Sequence, residues 1–106
     1  MSNGKVNPEL RDGKYIHPVN VPDYRGGLKQ LARDIGNLRY DAMRELFHEL
    51  SIELIRQSEA DMRRNRPMLQ KLRFEMAHHA MNISIAADSA MRISENRIDM
   101  SQNLDI

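Results

Sequence analysis

From Leu69 onward, apolar residues recur at alternating intervals of three and four: Leu69, Leu72, Met76, Ile83, Ala86, Ala90, Ile93 and Met100, with His79 and Arg97 on the same line. This spacing keeps one stripe on one face of a helix, and its persistence predicts packing against other helices. Away from that ladder runs a second apolar line, Phe74, Ala77, Met81 and Ile85. One neighbouring helix cannot cover both lines, so a further copy of the chain is expected to cover the rest. Ala86, Ala87 and Ala90 would admit close approach.

Upstream, Ala42, Met43, Leu46, Phe47, Leu50, Leu54 and Ile55 share another helical face, and Asp41 in the first turn suits that helix's positive dipole end. Arg64-Asn65-Arg66-Pro67 breaks the pattern, because proline is at home in the first turn of a new helix and not inside an old one. Two long helices joined so briefly must be antiparallel. A shorter helix starts after Gly27 with Leu28, Leu31 and Ile35 and is expected to end or kink at Gly36-Asn37, where Asn37 can take a left-handed or capping geometry. The predicted helices cover about residues 28–36, 40–63 and 67–97, within a helical region of 28–100 and before a frayed tail at 101–106. Residues 1–27 hold Pro8, Pro18 and Pro22 with Gly4, Gly13, Gly26 and Gly27, which predicts an irregular arm with at most a short extended segment around Tyr15 to Val21. The fold class is therefore all-α: a short helix, then a long antiparallel hairpin packed in a homo-oligomeric helical bundle.

Composition agrees with that class. Aromatics make up 5% of the 106 residues, tryptophan is absent, and eight methionines suit the irregular gaps between helices. A formal net charge of +1 gives no overall nucleic-acid footprint, so nucleic acid is disfavoured as a partner. Without cysteine the chain has no disulfide, thiolate ligand or cysteine nucleophile, which suits a reducing compartment. Neither a signal-peptide core nor a membrane-length apolar run occurs, so a soluble, cytoplasmic protein without membrane contact is expected.

Local charge is more informative. Arg63, Arg64, Arg66, Lys71 and Arg73 gather at the turn between the long helices, where guanidinium forks and a helix N-terminus favour a phosphate or carboxylate. Asp41, Glu45, Glu49 and Glu53 form an acidic stripe that suits a basic neighbouring surface. Two Glu-x-x-His pairs, Glu45/His48 and Glu75/His78, have the spacing used in two-metal carboxylate bundles, but lie at different distances from the turn and lack further inward carboxylates. They are read as solvated helix faces, with no metal site, cofactor or catalytic residue expected. His79, inside the ladder, is expected to be a hydrogen-bonded core residue that fixes register.

The arm with Tyr24-Arg25, followed by Gly26-Gly27 and a helical hairpin with a basic turn, resembles the small phage proteins that assemble helical hairpins into sponges for cyclic-nucleotide immune signals. The likeness covers residues 24 to 98 at the level of layout. It implies a non-enzymatic homo-oligomer that sequesters an anionic, phosphate-bearing small molecule such as a cyclic nucleotide. By that likeness Tyr24, Arg25 and Lys29 would be ligand-binding residues, joined by Arg63, Arg64 and Arg66 at the turn. The expected self-association surface is Leu72, Met76, His79, Ile83, Ala86 and Ala90. Two other readings stand beside it: a protein–protein adaptor or inhibitor acting through the acidic stripe or apolar flank, and a carboxylate/histidine metal-dependent enzyme.

Overall fold

A computed structural model describes residues 7–96. The chain is mostly helical and divides at Gly36-Asn37 into two compact units. In the first, β1 (Leu10–Arg11) and β2 (Lys14–Tyr15) form a minimal antiparallel ribbon, with Leu10 opposite Tyr15 and Arg11 opposite Lys14. Asp12 and Gly13 both adopt positive φ, 55° and 78°, which is the type I′ geometry that matches strand twist. The extended segment thus lies earlier than the expected Tyr15 to Val21, because Asp-Gly is a stronger local signal than the apolar alternation after it. Helix α1 (Gly27–Gly36) completes this unit.

The second unit is a hairpin of α2 (Tyr40–Arg63) and α3 (Pro67–Asn96), close to the expected spans; the ladder positions Arg97 and Met100 and the tail lie outside the described residues. Arg39 at the α2 N-cap makes no side-chain cap. Asp41 supplies one instead, accepting the Ala42 amide at 2.8 Å and both arms of the Arg39 guanidinium at 2.9 and 3.1 Å. At the other end the Arg66 amide donates to the Asp61 carbonyl at 2.9 Å and the Asn65 amide to the Met62 carbonyl at 3.0 Å, with Asn65 left-handed at φ 58°. This is a Schellman closure, so the left-handed asparagine is Asn65 and not Asn37. Pro67 then opens α3.

The face that α3 turns toward α2 is not the ladder. Its buried positions are Ala77, Ala80, Ser84 and Ala87, and those of α2 are Ser51, Ser58 and Asp61. These α3 positions keep the ladder's alternating spacing but lie one residue later, a rotation of about 100° around the helix. Bulky ladder side chains stay outside: Leu72 is 44% exposed, Met76 54% and Ile83 43%. The smallest side chains form the seam because hydroxyls here reach across to backbone. Ser58 Oγ donates to the Gln70 carbonyl at 3.1 Å and Ser84 Oγ to the Arg44 carbonyl at 2.8 Å, while Ser51 Oγ satisfies itself on the His48 carbonyl of its own helix. Each is a buried hydroxyl with a partner, as the interior requires.

Ion pairs clamp both ends of the seam with opposite polarity. Near the turn, Arg73 Nε lies 2.9 Å from Asp61 Oδ2, whose side chain is 6% exposed; the approach is off the line of a hydrogen bond, so charge holds that oxygen. Toward the open end Arg44 donates to Asp88 at 2.9 Å, and Arg92 reaches the other Asp88 oxygen at the same distance. Ala80→Leu is expected to wedge the seam open and lower stability by about 1–3 kcal/mol, read from the urea midpoint, because a close-packed interface has no room for extra methylenes.

Candidate functional site

Tyr24 is positioned by its own loop. The Tyr24 amide donates to the Val21 carbonyl at 3.1 Å across a turn with Pro22 at its second position and Asp23 at φ 68° at its third, a type II arrangement. Its hydroxyl donates to Asp34 Oδ2 on α1, and Gln30 Nε2 donates to Asp34 Oδ1 at 2.8 Å. A Cβ on Gly26 would stand 2.8 Å from Gln30 and 2.9 Å from the Tyr24 ring, so the ring can lie there only because residue 26 has no side chain. Gly27, at φ 75°, supplies the left-handed step into α1. The bond to Asp34 holds the Tyr24 hydroxyl protonated, its pKa pushed up to about 12, and the same bond lowers the Asp34 carboxyl. The tyrosine is therefore a neutral ring tethered at its tip. Arg25 and Lys29 are exposed, and neither pairs with an acid among the described residues.

The six ligand candidates fall in both units: Tyr24, Arg25 and Lys29 in the first, Arg63, Arg64 and Arg66 in the hairpin. At the hairpin turn Arg63 and Arg64 are exposed and Arg66 half-buried, again without acid partners among the described residues. Of the five cations read as one cluster, Arg73 is already committed to Asp61. The acidic stripe is also partly spoken for. Asp41 holds Arg39, while Glu53 accepts Arg56 and Gln57 and is lowered to about 2, chiefly by the Arg56 guanidinium. Glu45 and Glu49 remain exposed and without ion pairs among the described residues.

His79, expected within a packed ladder, is exposed on the single chain, and no hydrogen bond reaches it among the described residues. Its only aromatic neighbour there is His78, edge-on with ring centroids 6.4 Å apart. Register is set by the serines and the two ion pairs, which the sequence reading did not single out. Glu45, His48, Glu75 and His78 are all exposed, and among the described residues no three histidine or acidic side chains converge as a metal site would require. No described helix is long and apolar enough to cross a membrane.

No protein family, curated protein or solved structure matches this chain. Its surfaces must speak for themselves. Two are apolar. The ladder side of α3 is one; on the opposite side a groove of about 150 Å³ runs along the hairpin between Ser51, Ile55, Phe74, Ala77, His78 and Met81.

Charge is divided lengthwise along the hairpin. The half nearest the turn, residues 54–78, carries Arg56, Arg63, Arg64, Arg66, Lys71 and Arg73 against Glu59, Asp61 and Glu75. The open half, 37–53 with 79–96, reverses the balance, with Asp41, Glu45, Glu49, Glu53, Asp88 and Glu95 against Arg39, Arg44 and Arg92. Asp88 is the acid that ties this half together, and the Arg44 hydrogen bond, helped by Arg92, lowers its pKa from the ordinary 3.8. A carboxyl that binds its proton less tightly folded than unfolded adds stability fully present above 3.8 and lost as pH falls through the lower folded value. The urea midpoint is thus expected to fall as pH drops below about 4, and Asp88→Asn to flatten that acid limb.

Proposed function

We propose that this chain is a non-enzymatic, homo-oligomeric helical protein that binds and sequesters a phosphate-bearing small molecule such as a cyclic nucleotide. The observation that carries the reading is the Tyr24 ring, tethered by its hydroxyl to Asp34 and followed in sequence by two cations, Arg25 and Lys29, that pair with no acid among the described residues. A tethered aromatic ring gives a base a stacking surface at little entropic cost, and adjacent cations give phosphates charge-assisted partners. The open ladder supports self-association, since a hairpin seam of alanine and serine leaves the large apolar residues uncovered.

Isothermal titration with a panel of cyclic dinucleotides and trinucleotides tests the reading. Binding of at least one member is expected, weakened about tenfold or more by Arg25→Ala or Lys29→Ala. Absence of heat from every member overturns it. The adaptor reading is favoured by a different observation, the groove beside Phe74. Protein capture that Phe74→Ala abolishes, with no nucleotide heat, would put it first.

A further inference from the structure

The ladder side of α3 is an apolar face that the hairpin leaves uncovered, and its spacing has a symmetry. Leu69, Leu72, Met76, His79, Ile83, Ala86, Ala90 and Ile93 follow one another at intervals that read the same in either direction. A copy running the opposite way therefore meshes rung for rung. Such a copy sets Leu69 against Ile93, Leu72 against Ala90, Met76 against Ala86 and His79 against Ile83, so the large rungs Leu72 and Met76 each meet an alanine. A copy running the same way would stack Leu72 on Leu72 at one end and Ala90 on Ala90 at the other, splaying the helices apart. Charge makes the same choice independently. The turn half of each hairpin has an excess of cations and the open half an excess of acids, so an antiparallel mate lays unlike halves together while a parallel one lays like halves together.

We infer that the ladder side of α3 docks a second copy of this chain in antiparallel orientation, with the two-fold axis passing between His79 and Ile83. This rests on the homo-oligomeric part of the reading above and adds the contact, its direction and its register. It is an isologous interface, each residue meeting its counterpart in the other copy's reversed ladder. Its apolar rungs supply contact, and the lengthwise charge division selects direction and speeds encounter.

The chain has no cysteine, so single introduced thiols report on the interface without background. Leu72 is exposed on the hairpin and Ala90 lies outside the alanine–serine seam, so Leu72→Cys and Ala90→Cys each keep the fold. Mixed under mild oxidation, the two variants are expected to form the heterodisulfide, and each alone to form little homodisulfide. Homodisulfides from each variant alone overturn the antiparallel direction; no disulfide in any combination, from a chain that sediments as an oligomer, overturns the ladder contact. A wild-type chain that sediments as a monomer overturns both this inference and the homo-oligomeric reading, whereas an oligomer that fails only the nucleotide titration leaves the inference standing. As a second readout, raising sodium chloride is expected to weaken wild-type association several-fold by screening unlike halves; association strengthened by salt overturns the charge pairing.

Discussion

Arg73→Met is expected to destabilise the hairpin by about 3–5 kcal/mol, more than any other single change within the seam. Asp61 is the reason. Its carboxylate is buried at the turn end, and Oδ2 is held by the Arg73 guanidinium and by no hydrogen bond among the described residues. Removing the guanidinium strands a charge where water cannot replace it. Replacing both members should cost far less, because a buried ion pair is dear to break and cheap to exchange for apolar contact. Urea unfolding of Arg73→Met, Asp61→Leu and the double variant forms a closed cycle, and the double variant is expected to recover most of the loss. A single-variant cost below about 1 kcal/mol would mean that Asp61 is solvated, contrary to its burial.

Ile83→Asp is expected to do the opposite: leave helicity and the monomer's urea midpoint nearly unchanged while abolishing association. Ile83 is 43% exposed on the hairpin, so a carboxylate there remains in water as long as the chain is alone. In a two-fold interface the substitution occurs twice, and burying each unpaired carboxylate costs on the order of 3 kcal/mol, which raises the dissociation constant by more than about a thousandfold. Sedimentation equilibrium together with circular dichroism reads both halves of the prediction. Loss of helicity would show Ile83 to belong to the hairpin's own core; unchanged sedimentation would remove it from any interface.

These two substitutions mark what was legible in the sequence and what was not. Pro67 and the Gly36-Asn37 break announced helix ends, because proline and glycine act on the backbone wherever they stand. The choice of seam was not legible. Ala77, Ala80, Ser84 and Ala87 share the ladder's rhythm one residue out of phase, and periodicity carries no information about phase relative to a partner. Size decided it: serine hydroxyls bonded to the opposite backbone demand a close approach that Leu72 or Met76 would block. The Arg44–Asp88 and Asp61–Arg73 pairs were hidden for the same reason, being contacts across the hairpin. Asp12-Gly13 was readable by its turn chemistry and marks the ribbon that the alternation near Tyr15 misplaced. In the candidate site, Tyr24 was named only through the likeness carried by Tyr24-Arg25, and its tether to Asp34 ten residues on follows from the turn at Pro22-Asp23 and the bare backbone of Gly26.

The alanine–serine seam also determines where the chain's calorimetric signal resides. Heat capacity rises on unfolding in proportion to the apolar surface newly wetted, and falls with polar surface. Pulling α2 from α3 wets methyl groups, hydroxyls and peptide carbonyls more than long aliphatic side chains. The isolated hairpin is therefore expected to melt with a small heat-capacity increment and a broad transition, and a mate covering Leu72, Met76 and Ile83 would add to that increment.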